Sequence, residues 1–258
     1  MHLHPSRSEK ALTLKPFQTQ KISRSDSCLI PLRDQIRSQT TPHVTRILLL
    51  INIIIFIPFL YYTFFPVDRT TEAFIESLFV NTAMVPAEII QGQNLHTLLT
   101  SMFLHLDIFH IGGNMLFLYI FGDNVEDALG HVRFLIFYLL CGLVADFAHI
   151  LSLTTQLERL IPTLGASGAI SGVLGAYIVM YPRAKVLTLL LIRLVWIVPI
   201  PAAVFIGFWF LLQLLYTALN MGGGVAYWAH IGGFAAGVVL VFVLRRVHAV
   251  KREAPQAP

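Results

Sequence analysis

The feature that most constrains this chain is a series of apolar segments, each close to the length of a membrane-spanning helix. A helix needs about 20 apolar residues to cross the hydrocarbon core of a bilayer. Hydrophobic residues make up 56% of the 258 residues and charged residues only 12%, about half the charged share of a soluble domain. The sequence therefore predicts an all-α, polytopic membrane protein with six spanning helices, over residues 47–65, 103–121, 132–153, 167–180, 202–219 and 225–244.

Polar segments flank the apolar region at both ends. Residues 1–45 are basic, contain Ser and Thr and have few acidic side chains. We interpret them as a flexible cytosolic tail, with a mitochondrial transit segment as the alternative because such segments share this composition. Residues 247–258 form a short basic tail, which leaves one six-helix domain over residues 46–246.

One further apolar stretch, residues 186–198, is too short to span a bilayer. It contains Arg193 and is followed by Pro199 and Pro201. A length of about 10–14 residues is typical of interfacial or re-entrant segments. We expect it to lie at the membrane surface, either as an interfacial helix or as a hairpin.

The distribution of basic residues predicts the orientation. With six spans, all Lys and Arg residues except Arg69 and Arg159 lie on the side of the N-terminus. Such an excess marks the inner side of a membrane. The N-terminus is then cytoplasmic. Because residues 1–45 lack a strong amphipathic Arg-rich pattern, we expect the plasma membrane of a bacterium, with an organelle inner membrane as the alternative. Nucleic acid is not an expected partner, because the basic residues flank apolar segments instead of forming one basic face.

Polar residues lie near the start of the second, fourth and sixth segments. They are His110 and Asn114, then Ser167, then His230. With six spans, these three segments all begin at the outer face. Polar groups at membrane depth are costly and usually face the protein interior. The sequence therefore predicts that these four side chains meet at one depth.

Glycines at helical spacing explain how the fourth and sixth segments would approach each other. Small residues at i and i+4 let two membrane helices pack with their backbones close together. Here they form the pairs Gly168/Gly172 and Gly233/Gly237. This packing would bring the imidazole of His230 to the hydroxyl of Ser167.

A serine next to a histidine can act as a nucleophile. His230 would accept the hydroxyl proton of Ser167 and return it to the leaving amine. The backbone N–H of Ser167, His110 and Asn114 are candidate donors to the resulting oxyanion. Taken alone, Ser167 is better explained by helix packing. The set of four polar residues at one depth favours catalysis.

These residues resemble the motifs of the rhomboid family of intramembrane serine proteases. Three motifs occur in the same order as in the family. They are Ser101–His105 with His110 and Asn114, Gly165-Ala166-Ser167-Gly168, and Ala229-His230 with Gly233 and Gly237. The resemblance implies a Ser167–His230 dyad with no third carboxylate, and an oxyanion site formed by His110, Asn114 and the Ser167 N–H. It also implies a supporting role for the glycines Gly165, Gly168, Gly172, Gly233 and Gly237.

The resemblance further implies the partners. The expected substrates are single-span membrane proteins within the lipid bilayer, cut in or near the outer part of their helix. No metal and no cofactor is implied. The alternatives are an inactive rhomboid-like protein that binds membrane clients, and a small transporter. A transporter is disfavoured because the polar residues cluster at one depth and no inverted repeat is visible.

Three features depart from the family pattern or stand outside it. Leu95-His96 replaces a Trp-Arg pair, and Ser171 replaces the aromatic residue that usually stacks on the catalytic histidine. Asp146 and His149 stand at i and i+3 near the outer end of the third segment. We expect these two to satisfy each other, with a proton relay to the dyad as the alternative.

Overall fold

The computed structural model describes residues 28–191, 195–219 and 225–244. The described chain is mostly helical, with one small sheet. Its helices are α1 (His43–Phe64), α2 (Arg69–Thr82), α3 (Pro86–Ile90), α4 (Thr97–Thr100), α5 (Ile108–Leu129), α6 (His131–Ser152), α7 (Gln156–Arg159), α8 (Ser167–Met180), α9 (Ala202–Ala218) and α10 (Tyr227–Leu244). A short 3₁₀ helix, Ser101–Phe103, follows α4. The strands are β1 (Cys28–Asp34), β2 (Lys185–Leu191) and β3 (Val195–Pro201).

By length and composition, three described helices can cross a membrane: α1, α6 and α10. A fourth span results if Thr97–Phe103 and α5 are counted together, although they are bent by 94°. The apolar helices α8 and α9 are shorter, with 14 and 17 residues. Each of the six predicted segments contains a helix, but this criterion supports three or four spans and not the predicted six.

The helix α8 is the centre of the fold. Every residue from Gly168 to Tyr177 is buried, which is possible because the helix combines small residues with apolar ones. It packs against α5, α6, α9 and α10. Its first residue is Ser167, so the N-terminus of the most enclosed helix carries the predicted nucleophile.

The described chain is mostly helical as predicted, but it is not all-α, because a three-stranded antiparallel sheet with the order β1-β2-β3 is present. The described residues of the stretch 186–198, which are 186–191 and 195–198, belong to the paired strands β2 and β3. Pro199 and Pro201, which follow this stretch in β3, are tolerated because β3 is an edge strand, where a missing N–H breaks no inner ladder. The sequence allows an interfacial helix or a hairpin for this stretch, and its described residues form two paired strands, as in a hairpin.

Strand β1 of the sheet comes from residues 1–45, the segment predicted to be a flexible tail. In this segment, β1 pairs with β2, and α1 begins at His43. The Asp34 carboxylate at the end of β1 accepts hydrogen bonds from Tyr177 of α8 and Asn124 of α5. Residues 1–27 of this tail, and the predicted C-terminal tail 247–258, lie outside the described residues.

Candidate active site

Ser167 and His230 are in hydrogen-bonding contact. The Nε2 atom of His230 lies 2.9 Å from the Oγ atom of Ser167, although the two residues are 63 positions apart in the chain. Ser167 is the first residue of α8, and His230 lies in the first turn of α10. A neutral imidazole that carries its proton on Nδ1 accepts the Ser167 hydroxyl proton at Nε2.

Backbone contact between α8 and α10 explains why these two residues meet. A Cβ atom added to Gly233 would overlap the carbonyl oxygen of Gly168, and one added to Gly237 would overlap that of Gly172. Only glycine fits at such positions. The two glycine pairs singled out in the sequence therefore lie at the contact between the helices.

Gln213, which the sequence analysis missed, contacts the other nitrogen of His230. Its Oε1 atom lies 2.8 Å from His230 Nδ1. Gln213 is buried in α9, and its Nε2 atom donates to the Trp209 carbonyl oxygen at 3.3 Å. The available signal was a glutamine in the middle of an apolar segment, where a polar side chain requires a partner.

Aromatic rings adjoin His230 from two sides. The ring of Trp209 on α9 lies 5.9 Å from the imidazole, with a tilt of 38°, and Tyr227 lies 6.4 Å away, edge-on. Ser171, at the position where the family usually has an aromatic residue, donates its hydroxyl to the Ser167 carbonyl oxygen at 2.6 Å. The aromatic neighbours of the histidine therefore come from α9 and α10 instead of α8.

His110 of α5 lies near Gly165 and Ser167. Gly165 has a φ of +125°, and a Cβ atom added there would lie 2.8 Å from His110 Nε2 and 3.7 Å from Ser167 Oγ. The Leu106 N–H donates to His110 Nδ1 at 3.4 Å, which leaves Nε2 as the protonated nitrogen. His110 thus presents an N–H close to the Ser167 hydroxyl.

Local contacts hold this part of α5 in place. The Asp107 side chain caps the helix by accepting from the Phe109 and His110 N–H groups. The ring of His105 packs edge-on against His110, with the ring centres 5.0 Å apart. The Asn114 side chain donates to the His110 carbonyl oxygen at 3.0 Å.

All four predicted polar residues line one cavity of about 760 Å³. Apolar side chains make up much of the remaining wall, among them Phe109, Phe117, Ile170, Leu174 and Trp209. The cavity therefore combines polar side chains with an apolar wall. It has the composition expected of an organic ligand site.

The remaining polar residues singled out in the sequence do not take part in the contact between Ser167 and His230. His149 lines the cavity, but within the described residues no hydrogen bond joins it to Asp146, whose Oδ2 atom is buried without a partner. The mutual hydrogen bond expected between Asp146 and His149 is therefore not present among the described residues. His96, where the family usually has Arg, places its Nε2 atom 3.0 Å from the Asn81 carbonyl oxygen.

The fold and the site together define a helical membrane protein with a serine–histidine pair inside the bundle. The chain belongs to the rhomboid family, since the model of the Rhomboid domain matches residues 92–247. It is 31% identical over 150 residues to Rhomboid protein 1, mitochondrial, of Saccharomyces cerevisiae, covering 55% of this chain and 40% of that protein. It is 28% identical over 181 residues to RHOMBOID-like protein 12, mitochondrial, of Arabidopsis thaliana, covering 65% and 52%.

A third relative is the Presenilin-associated rhomboid-like protein, mitochondrial, of Homo sapiens. The identity is 34% over 88 residues, covering 34% of this chain and 23% of the relative. The matched region thus spans about half of each relative or less.

The names of these relatives overturn the predicted location. All three are mitochondrial proteins by name, so the prediction of a bacterial plasma membrane is wrong. The error has a physical reason. The choice of a bacterium depends only on the pattern of residues 1–45, because the distribution of Lys and Arg reports which side of a membrane a loop faces and not which membrane that is.

Proposed function

We propose that this chain is an intramembrane serine endopeptidase of the mitochondrial inner membrane, with a six-helix rhomboid domain. Its substrates are single-span membrane proteins, cut in or near the membrane. The observation that carries the proposal is the 2.9 Å contact between Ser167 Oγ and His230 Nε2, inside a cavity large enough for a peptide segment. The membership in the rhomboid family supports it.

The reaction begins with attack by Ser167. The Oγ atom forms a bond to the scissile carbonyl carbon while its proton passes to His230 Nε2. When the C–N bond breaks, the protonated Nε2 gives this proton to the leaving amine. A water molecule then attacks the ester carbon and loses a proton to His230 Nε2. When the bond between this carbon and Oγ breaks, His230 returns the proton to Ser167 Oγ and the carboxylic acid product leaves.

Stabilisation of the oxyanion comes from three directions. The Ser167 N–H is at the first position of α8, where it has no acceptor within its own helix and benefits from the helix dipole. His110 contributes its Nε2–H, and Asn114 its side-chain amide. Removing one such donor commonly lowers the rate about 10²–10³-fold.

The shape of the site accounts for the substrate class. An intact helix offers no accessible peptide bond, because its carbonyls are hydrogen-bonded within the helix and shielded by side chains. The cavity lies at the starts of α5, α8 and α10, so a substrate segment must unwind at this depth to reach Ser167. Membrane segments with small or helix-destabilising residues are the proposed substrates.

The test compares purified wild type with Ser167→Ala in detergent, using a single-span substrate with small residues near one end of its helix. Ser152→Ala is the matched control, because Ser152 lies at the end of α6 and binds the His149 carbonyl oxygen. We expect cleavage by wild type and Ser152→Ala and none by Ser167→Ala. If the chain is instead an inactive, client-binding protein, wild type and both variants would bind the substrate and none would cleave it.

A further inference from the structure

The buried amide of Gln213 has no role in a simple Ser–His pair. Gln213 is only 7% exposed and lies in the middle of α9, an apolar helix. A buried amide costs free energy unless hydrogen bonds replace those it makes with water, and inside a bilayer this constraint is strict. Its two contacts therefore show what its side chain does.

These contacts fix the orientation of the amide group. The nitrogen of an amide only donates, and its oxygen only accepts. Since the Nε2 atom faces the Trp209 carbonyl oxygen at 3.3 Å, the Oε1 atom is the one that faces His230 Nδ1, at 2.8 Å. An acceptor at this position requires a proton on His230 Nδ1.

We infer that Gln213 is a positioning residue that holds His230 in the tautomer required for catalysis; this inference rests on the function proposed above. With the proton on Nδ1, the lone pair of Nε2 faces the Ser167 hydroxyl and accepts its proton. In the other tautomer an Nε2–H would face the hydroxyl, and the histidine would be unable to act as a base. The amide oxygen also continues to accept from Nδ1–H when Nε2 becomes protonated.

Two residues of helix α9, one turn apart, thus hold the imidazole of His230. Trp209 limits the rotation of the imidazole, a role that Ser171 is too small to fill, while Gln213 selects the protonated nitrogen. A neutral amide does this without adding a second charge to the interior of a membrane domain, where a buried carboxylate is costly. The Ser167–His230 pair is therefore extended by Gln213 to a set of three residues.

The test uses the full chain labelled with ¹⁵N at histidine, in detergent micelles. The His230 signals are the ones that disappear in His230→Ala. We expect wild type to show a protonated Nδ1 and an unprotonated Nε2, and Gln213→Met, of similar length but without an acceptor, to shift the population toward Nε2–H. Gln213→Glu, which keeps an acceptor oxygen, should retain the Nδ1–H tautomer.

The same variants are compared in cleavage of a single-span substrate. Losing a hydrogen bond to a group that becomes charged should lower kcat about 10- to 100-fold, with KM close to wild type, and Gln213→Glu should recover part of this loss. Asn52→Leu is the matched control. Asn52 is another buried helical amide, and it donates to the Leu48 carbonyl oxygen one turn earlier. It is not among the described residues that line the cavity.

The outcomes separate the inference from the proposed function. If Gln213→Met keeps the Nδ1–H tautomer, or loses kcat only as much as Asn52→Leu does, the inference is overturned. If Gln213→Met does not fold, a shift to Nε2–H in Gln213→Glu overturns it equally. Absence of Ser167-dependent cleavage in wild type would refute the protease, whereas the tautomer measurement would still report on the Gln213 contact.

Discussion

The carbonyl oxygen of Gly168 occupies the space where a side chain of Gly233 would be. Ser167 is the neighbour of Gly168, and His230 precedes Gly233 by one helical turn, so this backbone contact sets the distance between hydroxyl and imidazole. The helix contact and the proposed active site are one feature of the fold.

Replacing Gly233 by alanine tests this coupling. The added methyl group would meet the Gly168 backbone, which has no rotamer to change, so α8 and α10 must separate. Overpacking of this kind costs about 1–3 kcal/mol, and a misplacement of about 1 Å in a catalytic pair costs about 10²-fold in rate. We expect a lower Tm in detergent and cleavage reduced at least to that extent.

Gly207→Ala is the control, because among the described residues no atom beyond its chain neighbours and its own helix backbone lies within 4 Å of the added Cβ. Alanine in a helix with open space should leave Tm unchanged or raise it slightly. Wild-type cleavage by Gly233→Ala would show that the helix contact does not set the Ser167–His230 distance.

The serine, its histidine and the glycine pairs were accessible from the sequence, because each sits in a short local pattern. The periodicity of small residues in 168–172 and 233–237 identifies two helix faces that must meet. The start of α8 at Ser167 was predicted to the residue, because Gly165 and Gly168 flank the first residue of an apolar run.

The sheet and the Gln213 contact were not accessible in this way. Strand β1 pairs with β2 across more than 150 residues of chain, and strand pairing depends on partners that a local pattern does not identify. Gln213 meets His230 only because α9 packs beside α10. Its sequence position predicts a need for a partner but not which partner.

His110→Ala tests the oxyanion site. The variant loses the Nε2–H that we propose as an oxyanion donor, so we expect kcat to fall about 10²–10³-fold with little change in KM, measured with the single-span substrate. His96→Ala serves as the control because His96 contacts the Asn81 carbonyl oxygen. Equal kcat values for the two variants would exclude His110 from the oxyanion site.

Glu126→Ala tests how the start of α1 is held. The side chain of Glu126 is fully buried and accepts from the Val44 and Thr45 N–H groups and the Thr45 hydroxyl. It supplies, from α5, the cap that Pro42 at the N-cap position lacks. Each buried donor left unsatisfied costs about 1–3 kcal/mol.

We therefore expect a marked loss of Tm in Glu126→Ala and a smaller one in Glu126→Gln, which keeps one acceptor oxygen. The measurement is thermal unfolding in detergent, followed by circular dichroism. The same Tm in wild type and Glu126→Ala would show that this contact does not stabilise α1.

Asp34 makes the attachment of β1 depend on pH. Burial, together with the negative charge of Asp123, raises the pKa of Asp34 from 3.8 to about 7, against the lowering effect of hydrogen bonds that include the one from Tyr177. A carboxyl group with a raised pKa binds its proton more tightly in the folded state. Its contribution is therefore fully present below pH 3.8 and is lost as the pH rises through about 7.

We expect the hydrogen-exchange protection of the β1 amides, corrected for intrinsic exchange, to fall as the pH rises through this range. Asp34→Asn should remove the dependence, because its amide oxygen still accepts from Tyr177 and Asn124 and does not ionise. Asp68→Asn, at the start of α2, should behave as wild type. The same fall in protection in Asp34→Asn would assign the pH dependence to another group.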